Sequence, residues 1–149
     1  MGSVRTIVPD DLQVVGEDVN LGGADILDAS AGSVSFDWDP GVADSCFFVA
    51  NRKFRIKGII ARIEVAGTDL GAVTGAIKKV ASGTDIASGT ALHSGTIDLK
   101  GTVNTNQTLT LSTTDTELDI ASGDAIGFDL TGTPTAAIGS VTVYMAARD

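Results

Sequence analysis

A chain of 149 residues is long enough to form one domain that buries roughly 70% of its unfolded surface, without the help of a metal or a disulfide. Apolar residues at 43% exclude a disordered chain, and aromatics at only 5% predict a core of small, branched side chains. The net charge of −9 disfavours nucleic acid as a partner, because such a surface repels a polyanion.

With 18 Gly, three Pro and abundant Thr and Ser, the composition describes short strands joined by tight turns. The expected class is all-β, with no helix of length. "MGSVRTIVPDDLQ" lacks the apolar centre of a signal peptide, and no apolar run reaches the roughly 18 residues of a membrane span. Synthesis and folding in the cytoplasm, away from membranes, are therefore expected.

Residues 1–31 show no sustained period, two Gly-rich or acidic breaks and only short apolar bursts at Ile7-Val8, Val14-Val15 and Ile26-Leu27. They read as an extended N-terminal arm with one or two pairing segments, or as a flexible tail. Residues 32–149 read as a single β-sandwich domain. In "GSVSFDWD", Val34, Phe36 and Trp38 alternate with Ser33, Ser35 and Asp37, the pattern of a half-buried strand. "DPG" turns the chain, and "SCFFVA" follows as a nearly continuous apolar run suited to a strand covered on both sides. Cys46, the single cysteine, is expected there as a small buried hydrophobe.

"KFRIKGIIARIEVAG" changes phase: Phe54 and Ile56 occupy one parity, and Ile59, Ala61, Ile63 and Val65 the other. A β-bulge at Gly58 restores a single buried face and puts Arg55, Lys57, Arg62 and Glu64 on the outer one. Beyond it, Ile97/Leu99, Leu109/Leu111, Leu118/Ile120, Ile126/Phe128/Leu130 and Val141/Val143/Met145 keep period two. About eight to ten short strands with closely spaced turns indicate a sandwich or barrel. Gly-Thr recurs at 83, 89, 95 and 101, but the apolar positions drift within that six-residue period, so it punctuates turns and does not build a β-helix.

No nucleophile-elbow, phosphate-loop or dinucleotide signature occurs, and no catalytic residue, cofactor or metal is expected. His93 is the single histidine and reads as a surface loop residue. Asp37, Asp39 and Asp44 surround a turn with calcium-like spacing, yet lack the Gly and closing Glu of an EF-hand loop, and Asp before Pro-Gly is a common turn start. Trp38 and Tyr144 are the aromatics a sugar would stack on; core packing is expected for Trp38 and a strand-end anchor for Tyr144.

Charge is unevenly distributed. Asp10, Asp11, Glu17, Asp18, Asp25, Asp28, Asp37, Asp39 and Asp44 face Arg5 alone in the first fifty residues, whereas Arg52, Lys53, Arg55, Lys57 and Arg62 crowd into the next dozen. These five are the candidate partner-binding residues, read as a protein contact, with a solvated outer face as the plain alternative.

Four stretches, "FFVANRKFRIKGI", "VAGTDLGAVTGAIKKV", "SGTALHSGTIDLKGTVNTNQTLTL" and "LDIASGDAIGFDLTGT", resemble in order and spacing a group of small tailed-bacteriophage virion proteins. The resemblance covers about two-thirds of the chain, from Cys46 to Met145, and leaves the arm outside it. It implies a jelly-roll-like sandwich that binds the major capsid protein on the outside of a phage head as a decoration or cement protein, usually as a homotrimer. The other reading is a receptor- or glycan-binding module of a tail or head fibre.

Overall fold

The computed structural model describes residues 31–148, together with Asn20–Leu21 (β1) and Ala24–Asp25 (β2), which pair with each other antiparallel. The rest of the expected N-terminal arm lies outside the described residues. The sandwich strands are β3 (Ala31–Trp38), β4 (Ser45–Val49), β5 (Phe54–Val65), β6 (Thr74–Val80), β7 (Thr90–Ala91), β8 (Ile97–Asp98), β9 (Thr105–Thr108), β10 (Asp119–Ile120), β11 (Ala125–Thr131) and β12 (Ile138–Ala147). A 3-10 turn at Ile86–Ser88 and a single helical turn, α1 (Asp115–Leu118), complete the described elements.

Pairing is nested. β3 pairs with β12, β4 with β11, β5 with β9 and β10, and β6 with β7 and β8, all antiparallel. One sheet runs β3-β12-β5 and ends on β9 and β10; the other runs β4-β11-β6 and ends on β7 and β8. A long hairpin rolled so that its first strand meets its last and its second meets its penultimate is a jelly roll, which is therefore the fold. The nesting gathers the connections 39–44, 66–73, 99–104 and 132–137 at one end of the sandwich.

Alternation explains β3: Val34 and Phe36 are half-buried and Trp38 is buried, whereas Ser33, Ser35 and Asp37 are exposed. In β5, Tyr144 of β12 faces Gly58 and Met145 faces Ile56, which leaves Lys57 as the extra residue of the expected bulge. Ile56 and Ile59 consequently both point inward and are fully buried. β5 carries a second bulge that the alternation does not reveal, at Glu64, since Ile138 faces Val65 and Gly139 faces Ile63.

β4 departs from expectation. It is an edge strand with one open face, so Cys46 and Val49 are exposed and Cys46 is not a buried hydrophobe. The apolar run has a different cause. Opposite β11 the register skips Phe47, and the bulge turns both Phe47 and Phe48 inward.

The core is an interdigitated aromatic row. Phe47 of one sheet stacks on Phe36 of the other at 5.3 Å, Phe36 meets Phe128 at 5.3 Å, and Phe128 stacks on Trp38 at 5.6 Å. Isoleucines, leucines and valines from both sheets fill the space around it. The Gly-Thr pairs are turns, as expected, and their glycines serve two needs. Gly83 and Gly95 have φ of +84° and +72°, which other residues rarely adopt, whereas a side chain at Gly89 or Gly101 would collide with Val80 or Gln107.

Gly75 of β6 lies directly under Phe128, where an added Cβ would sit 2.3 Å from Cζ of that ring. Gly75→Ala is expected to destabilise the fold by about 1–3 kcal/mol through overpacking. Gly71→Ala, where nothing lies within 4 Å, is expected to change urea unfolding little.

Candidate functional site

The five expected partner-binding cations occupy three different situations. Arg52 and Lys53 sit on the exposed connection that enters β5, and Lys57 projects from the bulge; among the described residues none of the three makes an ion pair. Arg55 is already engaged. Its guanidinium pairs with Asp115 and, at 3.0 Å, with Asp119 Oδ1. Arg62 Nη1 donates to Asn104 O and Asn106 Oδ1, both at 3.1 Å, and ties β5 to the edge around β9. The outer face of β5 does carry Arg55, Lys57, Arg62 and Glu64, as its alternation predicts, but among the described residues Arg55 and Arg62 are engaged and Lys57 makes no ion pair.

Sequence reasoning missed what holds Arg55. Asp119 also receives Arg148, and Lys79 reaches across from the other sheet to donate to Thr116 O at 2.6 Å and Asp119 O at 2.7 Å. Three cations thus converge on residues 115–119 and clasp the two sheets together. The Arg148 and Arg55 guanidiniums hold the Asp119 carboxyl below the usual carboxylate range. On the second sheet, Lys78 pairs with Asp129 at 2.7 Å, a further cation committed to the fold.

Tyr144 is not a strand-end anchor. It stands in the outer face of β12, 43% exposed, and covers Gly58 of the neighbouring strand, where a Cβ would lie 3.7 Å from its ring. Lys57 is adjacent in sequence to Gly58, so the exposed tyrosine and the open lysine share one region of this sheet. Trp38 is buried, as expected, with its Nε1–H unpartnered among the described residues.

His93 is buried rather than on a surface loop. β7 pairs with β6 only as far as Ala91 opposite Lys78, and Leu92 N–H still donates to Ile77 O at 2.9 Å. The chain then leaves β6 to bridge Leu111, which would strand the Ile77 N–H inside the protein. His93 Nε2 accepts that hydrogen at 2.9 Å and replaces the missing backbone carbonyl. The acceptor role puts the proton on Nδ1, 3.3 Å from Ser94 O. His93 borders a recess of about 330 Å³ that Ser112 and Glu117 also line. Ser112 Oγ donates to Glu117 and Ser94 Oγ to Thr110 O, so neither hydroxyl is directed at the imidazole.

Asp37, Asp39 and Asp44 do not form a calcium cage. Asp44 Oδ1 accepts Leu130 N–H at 2.7 Å, and among the described residues no three acidic, histidine or cysteine side chains gather to hold a metal. Also among the described residues, no helix is long and apolar enough to cross a membrane.

Burial pushes the His93 imidazole below its ordinary value, because the charged form loses its hydration there. Protonation would also set an N–H against the Ile77 N–H. The unfolded chain then binds the proton more readily than the folded one. The His93 contribution to stability is complete above about pH 6.5, the unfolded value, and is lost as pH falls through the lower folded value. His93→Ala should remove the part of the pH dependence that lies just below neutrality. It should also cost about 1–3 kcal/mol at pH 8 by orphaning the Ile77 N–H, both read by urea titrations across pH.

No protein-family model matches this chain, and no curated protein matches it. Among solved structures, it is similar to a chain of Bacillus endospore appendages, described as disulfide-linked pili, with 15% identity over 80% of this chain and 88% of that one and a TM-score of 0.39. It is also similar to a chain of the capsid asymmetric unit of cyanophage Pam1, with 17% identity over 78% of this chain and 79% of that one and a TM-score of 0.37.

Proposed function

We propose that this chain is a structural virion protein that binds the major capsid protein on the outer surface of a phage head and stabilises the shell, without a catalytic role. The observation that carries the reading is the nested strand order. The four sequence stretches resemble phage virion proteins and imply a jelly-roll-like sandwich, and the pairing of β3 with β12, β4 with β11, β5 with β9 and β10, and β6 with β7 and β8 is that architecture. A jelly roll hosts many functions, so the resemblance supplies the role and the topology supports it. Binding only the assembled shell would make that state harder to disrupt, by mass action.

In the homotrimer that the resemblance implies, the acids of residues 1–31 in one protomer are complementary in charge to the cations of the next. Arg52, Lys53 and Lys57 are the contact points, because Arg55 is committed to Asp115 and Asp119 and Arg62 to Asn104 and Asn106. A receptor- or glycan-binding module of a fibre is the second reading, favoured by the exposed Tyr144 ring on an open sheet face.

Purified protein is expected to co-sediment saturably with matching undecorated heads and to be found on the heads of virions; failure of both ends the decoration reading. Lys53→Glu combined with Lys57→Glu is expected to weaken assembly or head binding with unchanged thermal unfolding. Arg55→Glu would disrupt the 115–119 clasp and so test the fold instead. Saturable binding to host envelope polysaccharide that Tyr144→Ala abolishes would favour the fibre module.

A further inference from the structure

Leu70 is fully exposed, at 106% of its reference area, in the connection between β5 and β6. It is not on a loose loop. Lys100 Nζ donates to the carbonyls on either side of it, Asp69 O and Gly71 O, and the Asp69 carboxylate accepts Thr135 N–H at 2.9 Å and Thr135 Oγ1–H at 3.0 Å. Thr68 N–H donates to Thr135 O at 3.0 Å. The connection is thus tied to both of its neighbours, 99–104 and 132–137, and holds a bare leucine at its tip. Fixing that segment has already cost its conformational entropy during folding, so a partner that buries Leu70 does not have to order it.

The same end of the sandwich carries other exposed apolar side chains. Ile138 and Val65 are register partners at the ends of β12 and β5, and Val103 precedes Asn104, whose N–H donates to Ile63 O. Each of the three is between a third and a half exposed. Carboxylates stand beside one of them: Asp37, Asp39 and Glu64 line a recess of about 350 Å³ that Ile138 also lines. Among the described residues, Arg62 and Lys100 are the cations at this end, and they direct the donors described above to neutral oxygens of their own chain.

We infer that this end, with Leu70 as its anchor, is the surface that docks on the shell, and that its partner there is a protein surface with an apolar recess rimmed by lysine or arginine. The inference rests on the decoration reading above and names the face and the partner chemistry. Charge selects among the occupants. A second copy meeting it end to end would bring carboxylates against carboxylates. Residues 1–30 are themselves acidic, and Ala31, where β3 begins, lies at the opposite end, paired with Ala146, which in turn pairs with Arg55. A basic-rimmed socket on another chain satisfies both the apolar tip and its rim.

The test is a titration of matching undecorated heads with wild-type, Leu70→Asp, Leu70→Met and Val49→Asp proteins at low and moderate salt. Val49 is 65% exposed at the other end of the molecule and serves as the control for removing any exposed apolar side chain. Leu70→Asp is expected to weaken binding by about tenfold or more, as loss of a central apolar anchor does. Leu70→Met and Val49→Asp should bind as wild type, thermal unfolding should be unchanged in all, and salt should slow association. If wild-type protein does not bind heads, the decoration reading falls and this one with it. If wild type binds and Leu70→Asp binds equally, the decoration reading stands and this one is overturned. A sedimentation mass of the free protein that Leu70→Asp lowers would assign the end to a second copy and also overturn it.

Discussion

The two sheets are held in register by aromatic rings that alternate between them, Phe47, Phe36, Phe128 and Trp38, and this row exists because glycines leave room for it. Gly75 clears the space under Phe128, and Gly139 clears the space beside the indole of Trp38, where a Cβ would come within 2.5 Å of the ring. Few aromatics are needed when each is shared by two sheets. The remaining core can then be made of branched aliphatics, which suit the pleated faces of short strands. The bulge at Phe47 belongs to the same arrangement, since it is what turns a second phenylalanine of an edge strand toward the core.

The cations follow a comparable division. Arg55, Arg148 and Lys79 meet at residues 115–119 and join the strand β10 of one sheet to β6 of the other, while Lys78 binds Asp129 and the carbonyl of Ala87. Solvent screens such exposed ion pairs, so the clasp acts more by fixing the position of a short helical turn than by its energy. Its consequence is functional. A basic run that looks like one strip in the sequence becomes, once Arg55 and Arg62 are occupied, a smaller group of Arg52, Lys53 and Lys57.

Local alternation was legible, and with it most of the fold. Val34, Phe36 and Trp38 announced a half-buried strand, and the change of parity across Gly58 announced a bulge, because both are properties of a few consecutive residues. What escaped depends on partners far along the chain. Cys46 and the two phenylalanines after it read as a buried strand, and only the register with β11 shows an edge strand with a bulge. His93 read as a surface residue because its partner, the Ile77 N–H, is orphaned by where β7 departs from β6, which no residue near position 93 records. Arg55 looked free for the same reason, its acids lying sixty residues away.

The nested pairing also gives the molecule two chemically different ends. One gathers the connections that follow β3, β5, β8 and β11, where loops bonded to one another present Leu70 at the same end as Asp37, Asp39 and Glu64. The other receives the chain at Ala31 and carries Arg52, Lys53 and Arg148. A rolled hairpin forces this separation, because each antiparallel strand that leaves one end must return from the other. The decoration role proposed above would need two unlike contact surfaces on one body. The topology separates two such surfaces, and the residues placed at each end set the chemistry that each one presents.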